Sequence, residues 1–241
     1  MIIRQTGAGL HRLGLPVMIN AQEILAETDW AGLEHGHGPA GDVPERLRAL
    51  LSEDAAQVDA AITFLHHTLL FEQLVHSATL PAARYVAGVL TDSRTAFVFT
   101  ETGEDAPQPV RRSLLNWLDR VAAAILLNDE GENPEADDAR PHLIELYPAV
   151  AGRFTDDLPG VRVMARMTAL TMLDADLPEF TALRSAAVPS LTAEPELLSE
   201  DEREVLAILL EEWQEAEKLD ALLAGSESWL SRTIKRFRGR P

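Results

Sequence analysis

The chain contains no cysteine. Disulfides, thiolate zinc sites, iron–sulfur clusters and cysteine nucleophiles are therefore excluded. Aromatic residues make up only 5% of the 241 positions and β-branched runs are scarce, so little here favours sheet. No stretch approaches the roughly 18 consecutive apolar residues that a membrane span needs. The first twenty residues, MIIRQTGAGLHRLGLPVMIN, lack the continuous apolar core of a secretory signal, and the expected compartment is the cytoplasm. Positive charge is short as well: 21 Lys and Arg against 39 Asp and Glu leave a formal net charge of −18. A chain of that sign repels phosphate backbones, so nucleic acid is not an expected partner. An acidic surface keeps a protein soluble and also speeds association with a basic partner; composition leaves both readings open.

Leu, Ala, Glu and Arg dominate what is there. These side chains lose little rotamer freedom in a helix. Apolar residues at 46% and charged residues at 25% are a globular balance rather than a disordered one. The N-terminal segment, 1–28, reads as loosely structured or packed on, with a helix expected from near Asn20 over AQEILAET. Asp42-Val43-Pro44 predicts the first strong helix, with Asp42 as N-cap, Pro44 in the first turn and Val43, Leu47, Leu50 and Leu51 as its apolar stripe. Ser52 is the expected cap of a second helix reaching about Leu70. A third runs from near Ser77 to about Leu90. Residues 91–109 read as a long connection in which 96–99 is strand-like.

A fourth helix is expected over about 110–128, striped by Leu114, Leu115, Leu118, Val121, Ala122 and Ile125. The acidic, Gly- and Pro-containing run 129–138 reads as a loop. A fifth helix follows over about 139–154, kinked or split at Pro148, and a sixth over about 159–173. Leu177-Pro178 opens a shorter helical stretch, with Pro189 and Pro195 as interruptions. Ser199 followed by Glu202 is a capping box and opens a helix over about 200–224, with Gly225 as its C-cap. Helices in pairs at about 35–45 residues per unit match the HEAT or armadillo period; a compact irregular bundle is the alternative. The expected architecture is all-α, with antiparallel helix pairs stacked as a short HEAT-like superhelix over 29–225 and a basic tail over 226–241.

One segment carries more than periodicity. Trp30, Leu33 and His35, then Gly38, then Asp42-Val43-Pro44, resemble a motif of a bacterial HEAT-repeat-like family: Trp-x-x-Leu-x-His, Gly, Asp-Val-Pro. Ala78-Thr79-Leu80-Pro81-Ala82 is similar to that family's Ala-Thr-x-Pro-Ala. The likeness covers roughly 29–91, and Leu65-His66-His67 departs from the aromatic-His-Gln stretch the family carries between the two motifs. The resemblance implies an α-solenoid and a binding role, with Trp30, His35, Asp42 and Pro44 as structural motif residues. It implies no chemistry at particular positions.

Candidate sites are few. A zinc ion needs neutral imidazoles converging at about 2.1 Å. His35 and His37 lie in flexible Gly-rich sequence, and adjacent His66 and His67 point to different helix faces, so no metal or other cofactor is expected. His35 is expected to fasten the 29–42 segment onto the helix it precedes. The 129–138 run lacks the alternation and the closing Glu of a calcium loop. No Gly-x-Ser-x-Gly elbow, phosphate loop or dinucleotide fingerprint occurs, and no catalytic residue is nominated. A fourth helix of about 19 residues separates its flanking loops by about 28 Å. In a stack, Glu101, Glu104 and Asp105 then share one edge with Asp156 and Asp157. Asp129, Glu130 and Glu132 share the other with Asp174 and Asp176. Of these carboxylates, Glu101, Glu104, Asp105, Asp129, Glu130, Glu132, Asp156 and Asp157 are the candidate partner-binding residues.

The tail reverses the charge. Trp229, Leu230, Ile234 and Phe237 alternate with Arg232, Lys235, Arg236, Arg238 and Arg240. Such a segment can bind a partner groove or an anionic membrane, fold back on the protein's own acidic surface, or stay disordered. The functional expectation is a non-enzymatic helical-repeat module that binds a basic protein partner, in its sharpest form an immunity-type inhibitor of a basic toxin. The alternatives are a HEAT-like enzyme of the DNA-glycosylase type, which the charge opposes, and a membrane adaptor acting through the tail.

Overall fold

The computed structural model describes residues 19–129 and 131–213. Among them ten α-helices carry the architecture, and the strands are two short antiparallel ladders. The all-α class holds. The chain divides into two compact units, 1–172 and 173–241, where the sequence suggests one helical domain over 29–225.

In the first unit, α1 (Ala21–Glu27) is capped by Asn20, whose side-chain oxygen accepts from the Gln22 and Glu23 amides. It packs against α4 (Thr79–Val89). Gly88 permits the approach, because a Cβ there would lie 3.0 Å from the Ile19 carbonyl. The described part of the 1–28 segment is thus packed onto the helical unit, one of the two expected arrangements; residues 1–18 lie outside the described residues.

A hairpin of β1 (Glu34–His35) and β2 (Gly38–Pro39) leads to α2 (Val43–Ala49). Asp42 precedes α2 but does not cap it: its backbone is already helical, at φ −87° and ψ −14°, and its side chain makes no cap hydrogen bond. At α3 (Ala55–Phe64) the cap is Asp54, which accepts from the Ala56 amide. Ser52, the expected cap, accepts instead from the Asp54 amide and donates to Gln57. The helix then widens into a π turn over Leu65–Leu69. A π turn releases carbonyls from the i→i+4 ladder, and three are taken up by tertiary donors. The Trp117 indole donates to the Leu65 carbonyl at 2.8 Å, the Gly36 amide to Thr68 at 2.9 Å and the Thr79 hydroxyl to Leu69 at 2.6 Å.

The strand-like 96–99 patch becomes β3 (Val98–Phe99), paired with β4 (Gln108–Pro109). α5 (Val110–Leu126) follows and buries Leu114, Leu115, Trp117, Leu118, Val121, Ala122 and Ile125, the 3.6-residue stripe of a core helix. It packs on α3 and α4, and α4 also meets α2 and α7. Arg140 donates to the Ile125 and Asn128 carbonyls, closing the orphaned end of α5.

The 129–138 run is only half a loop. Asn133 accepts from the Ala136 amide and Pro134 occupies the first turn of α6 (Pro134–Ala139); the acidic composition hid an ordinary helix start. The break expected at Pro148 falls earlier, in a 3₁₀ turn over Arg140–His142 that holds Pro141. α7 (Leu143–Ala151) continues through Pro148. α8 (Pro159–Leu173) has the expected bounds.

In the second unit, α9 (Pro178–Leu191) runs through Pro189, which the sequence suggested as an interruption. Arg184 donates to the Leu173 and Ala175 carbonyls, and its guanidinium lies 5.4 Å from the Trp213 ring centre. α10 (Glu200–Glu212) opens on the expected capping box: the Ser199 hydroxyl accepts from the Glu202 amide at 3.2 Å and Glu202 accepts from the Ser199 amide at 2.6 Å. The expected continuation to 224, the Gly225 cap and the 226–241 tail lie outside the described residues.

Candidate functional site

The β1–β2 hairpin is held by its histidine and its glycine. The ring of His35 accepts from the His37 amide through Nδ1 at 3.1 Å, which leaves the Nε2 hydrogen to donate to Asp42 at 3.2 Å. His35 lies edge-on to Phe64 at 5.8 Å, and His37 stacks obliquely on Phe71 at 4.7 Å. Gly36 sits so close to Phe71 that any Cβ would collide with the Phe71 Cβ. On the other strand side, the Glu34 amide donates to the Ser77 hydroxyl and the Ala78 amide to the Glu34 carbonyl. Trp30 is buried beneath, and Pro44 lies in the first turn of α2.

This docking builds one side of a groove of about 240 Å³. The Asn133 amide makes the other side, donating to the Val75 carbonyl at 3.0 Å and drawing the 131–135 segment against 74–77. Glu34, Glu132 and Glu135 line the groove together with Leu74, His76 and Pro134. All three glutamates are exposed. Leu74 is 48% exposed. It follows two non-glycine residues in the left-handed region, Glu72 at φ 52° and Gln73 at φ 61°, a conformation that costs of order 1 kcal/mol per residue. Burial pushes the His76 pKa below the ordinary histidine value, against the opposing effects of the Phe71 carbonyl and of Glu135. Its Nε2 is buried with no partner among the described residues.

A larger cleft of about 570 Å³ lies between residues 19–23 and 88–92. Its charged groups and Asn20 are already engaged: Asn20 with Glu23, and Asp92 with Arg94. Inside the π turn, His66 has neither ring nitrogen hydrogen-bonded among the described residues. Burial, then the Arg120 and His67 charges, lower its pKa to about 4. Among the described residues no three His, Asp or Glu side chains converge to hold a metal ion. No described helix is long and apolar enough to cross a membrane.

The nominated carboxylates fare differently. Glu101 turns inward and accepts from the Gln108 amide at 2.7 Å and the Ser113 hydroxyl at 2.6 Å. Asp156 is 8% exposed; it pairs with Arg111 at 2.6 Å and Arg153 at 3.5 Å and accepts from the Leu158 amide. Its charge is internal and ties the start of α5 to the α7–α8 turn, so it does not face a partner. Glu104, Asp105, Asp129, Glu132 and Asp157 are exposed, and Glu130 lies outside the described residues. Of these, only Glu132 reaches the groove. Glu34, His76 and Glu135 were not singled out as partner-binding residues; the legible signal for Glu135 was Asn133-Pro134, a helix start that fixes where the next residue points. Comparison with protein-family models, with curated proteins and with solved structures finds no match.

Proposed function

We propose that the chain is a non-enzymatic helical module, its first unit a short HEAT-like stack, that binds one protein partner with a basic surface. The observation that carries this reading is the convergence of Glu34, Glu132 and Glu135 beside the exposed Leu74 in a chain of net charge −18. A lysine or arginine suits such a groove, because its aliphatic stem covers apolar surface while its head stays among carboxylates. Occlusion of a basic toxin by its immunity protein is the sharpest form of this function.

The test is affinity capture near physiological salt with the intact chain and with Glu34→Gln/Glu132→Gln/Glu135→Gln. A stoichiometric basic protein should be retained by the first and held about tenfold or more weakly by the second, at roughly 0.5–1 kcal/mol per rim charge. Glu104→Gln/Asp105→Asn is the control and should bind as the parent does. No stoichiometric partner, or only acidic ones, would overturn the proposal.

A further inference from the structure

In the second unit, α10 carries an apolar stripe that no described residue covers. Asp201, Val205, Ile208 and Glu212 are all exposed on α10. Their spacing of four, three and four residues sets them on one face of the helix. Val205 is 42% and Ile208 47% exposed, while Leu206, Ala207 and Leu210 on the other side are buried. Carboxylates close both ends of the stripe, and Glu204 flanks it. The one basic residue on this helix within the described residues, Arg203, donates to the Ser199 carbonyl.

Residues 229–240 have the matching composition. Trp229, Leu230, Ile234 and Phe237 are interleaved with Arg232, Lys235, Arg236, Arg238 and Arg240, a concentration of positive charge in a chain whose net charge is −18. The connection from Trp213 to Trp229 is about 16 residues, up to roughly 50 Å when extended. The stripe from Asp201 to Glu212 is only about 16 Å long, so reach does not limit the contact.

We propose that residues 229–240 dock on the Asp201–Val205–Ile208–Glu212 face of α10 within the same chain. The apolar residues would cover Val205 and Ile208, and the basic residues would meet Asp201, Glu204 and Glu212. Tethering raises the local concentration of the segment at this face to about the millimolar range, so a weak contact suffices. The contact would also keep this basic, aromatic segment off anionic membranes. It involves neither the groove nor its carboxylates, and its failure leaves the proposed partner binding untouched.

Lysine occurs only at positions 218 and 235, which makes the test direct. The full chain, mixed as light and heavy isotope forms, is treated with a zero-length carbodiimide cross-linker and its peptides are identified by mass spectrometry. Lys235 should join Asp201, Glu204 or Glu212 within one chain. These products should be lost in about 1 M salt, where the screening length is about 3 Å, and in Val205→Ser/Ile208→Ser. Both substituted positions are exposed, and an unchanged circular dichroism spectrum would confirm the fold. In the full chain, Arg232→Glu/Arg236→Glu should raise amide exchange over 200–212. Mixed-isotope products would place the segment on a second copy and overturn the proposal. Products with other carboxylates, unaffected by the Val205/Ile208 change, would overturn it too. So would phosphatidylserine vesicles that bind the parent and Val205→Ser/Ile208→Ser equally well.

Discussion

His66 shows how a single ring can make stability depend on pH. Its pKa is lowered to about 4 in the folded chain by burial first and neighbouring positive charge second, against 6.5 when unfolded. Between those values the unfolded chain binds the extra proton, so stability is present at neutral pH and is lost as pH falls from about 6.5 towards 4. Urea titrations at pH 7 and about pH 4.5 should show the parent losing about 1–2 kcal/mol more than His66→Leu over that interval. His76 is shifted the same way, so the substitution removes only part of the acid sensitivity; equal losses in both proteins would contradict the assignment to His66. Gly36 is the second sensitive residue. A methyl group there meets Phe71, and Gly36→Ala should cost about 1–3 kcal/mol as the hairpin is pushed from the π turn, read as a lower urea midpoint with unchanged slope.

The relation between elements rests on groups whose partners are distant in sequence. The α5 core stripe and the α10 capping box were plain in the residue pattern because both depend on neighbours three or four positions away. The π turn was not, because the donors to its freed carbonyls come from Gly36, Thr79 and Trp117. Asp156 was misjudged for the same reason: its partner Arg111 stands 45 residues earlier. Asp156→Asn leaves Arg111 and Arg153 facing a neutral group in a buried place and should destabilise the first unit by about 3 kcal/mol. Glu104→Gln/Asp105→Asn, exposed, should stay within about 0.5 kcal/mol. Thermal or urea unfolding of the two variants side by side checks both, and equal effects would remove the distinction between the internal and the surface carboxylates.

At the scale of the whole molecule, the excess of carboxylates acts as diffuse self-repulsion. Raising NaCl from about 0.02 to 0.5 M shortens the screening length and should raise Tm by a few degrees; a fall would mean that pairs such as Arg111–Asp156 outweigh the repulsion. Composition and 3.6-residue periodicity, which depend on near neighbours along the chain, were enough to determine the helical class, the apolar stripe of α5, the bounds of α8, the start of α10 and the absence of thiol chemistry. Tertiary structure alone decided where Asp42 and Asp156 place their charges, that 134–139 is helical against an acidic background, and that Glu34 and Glu135 share a groove. Those outcomes depend on which distant donor or acceptor arrives, and no local spacing encodes the arrival.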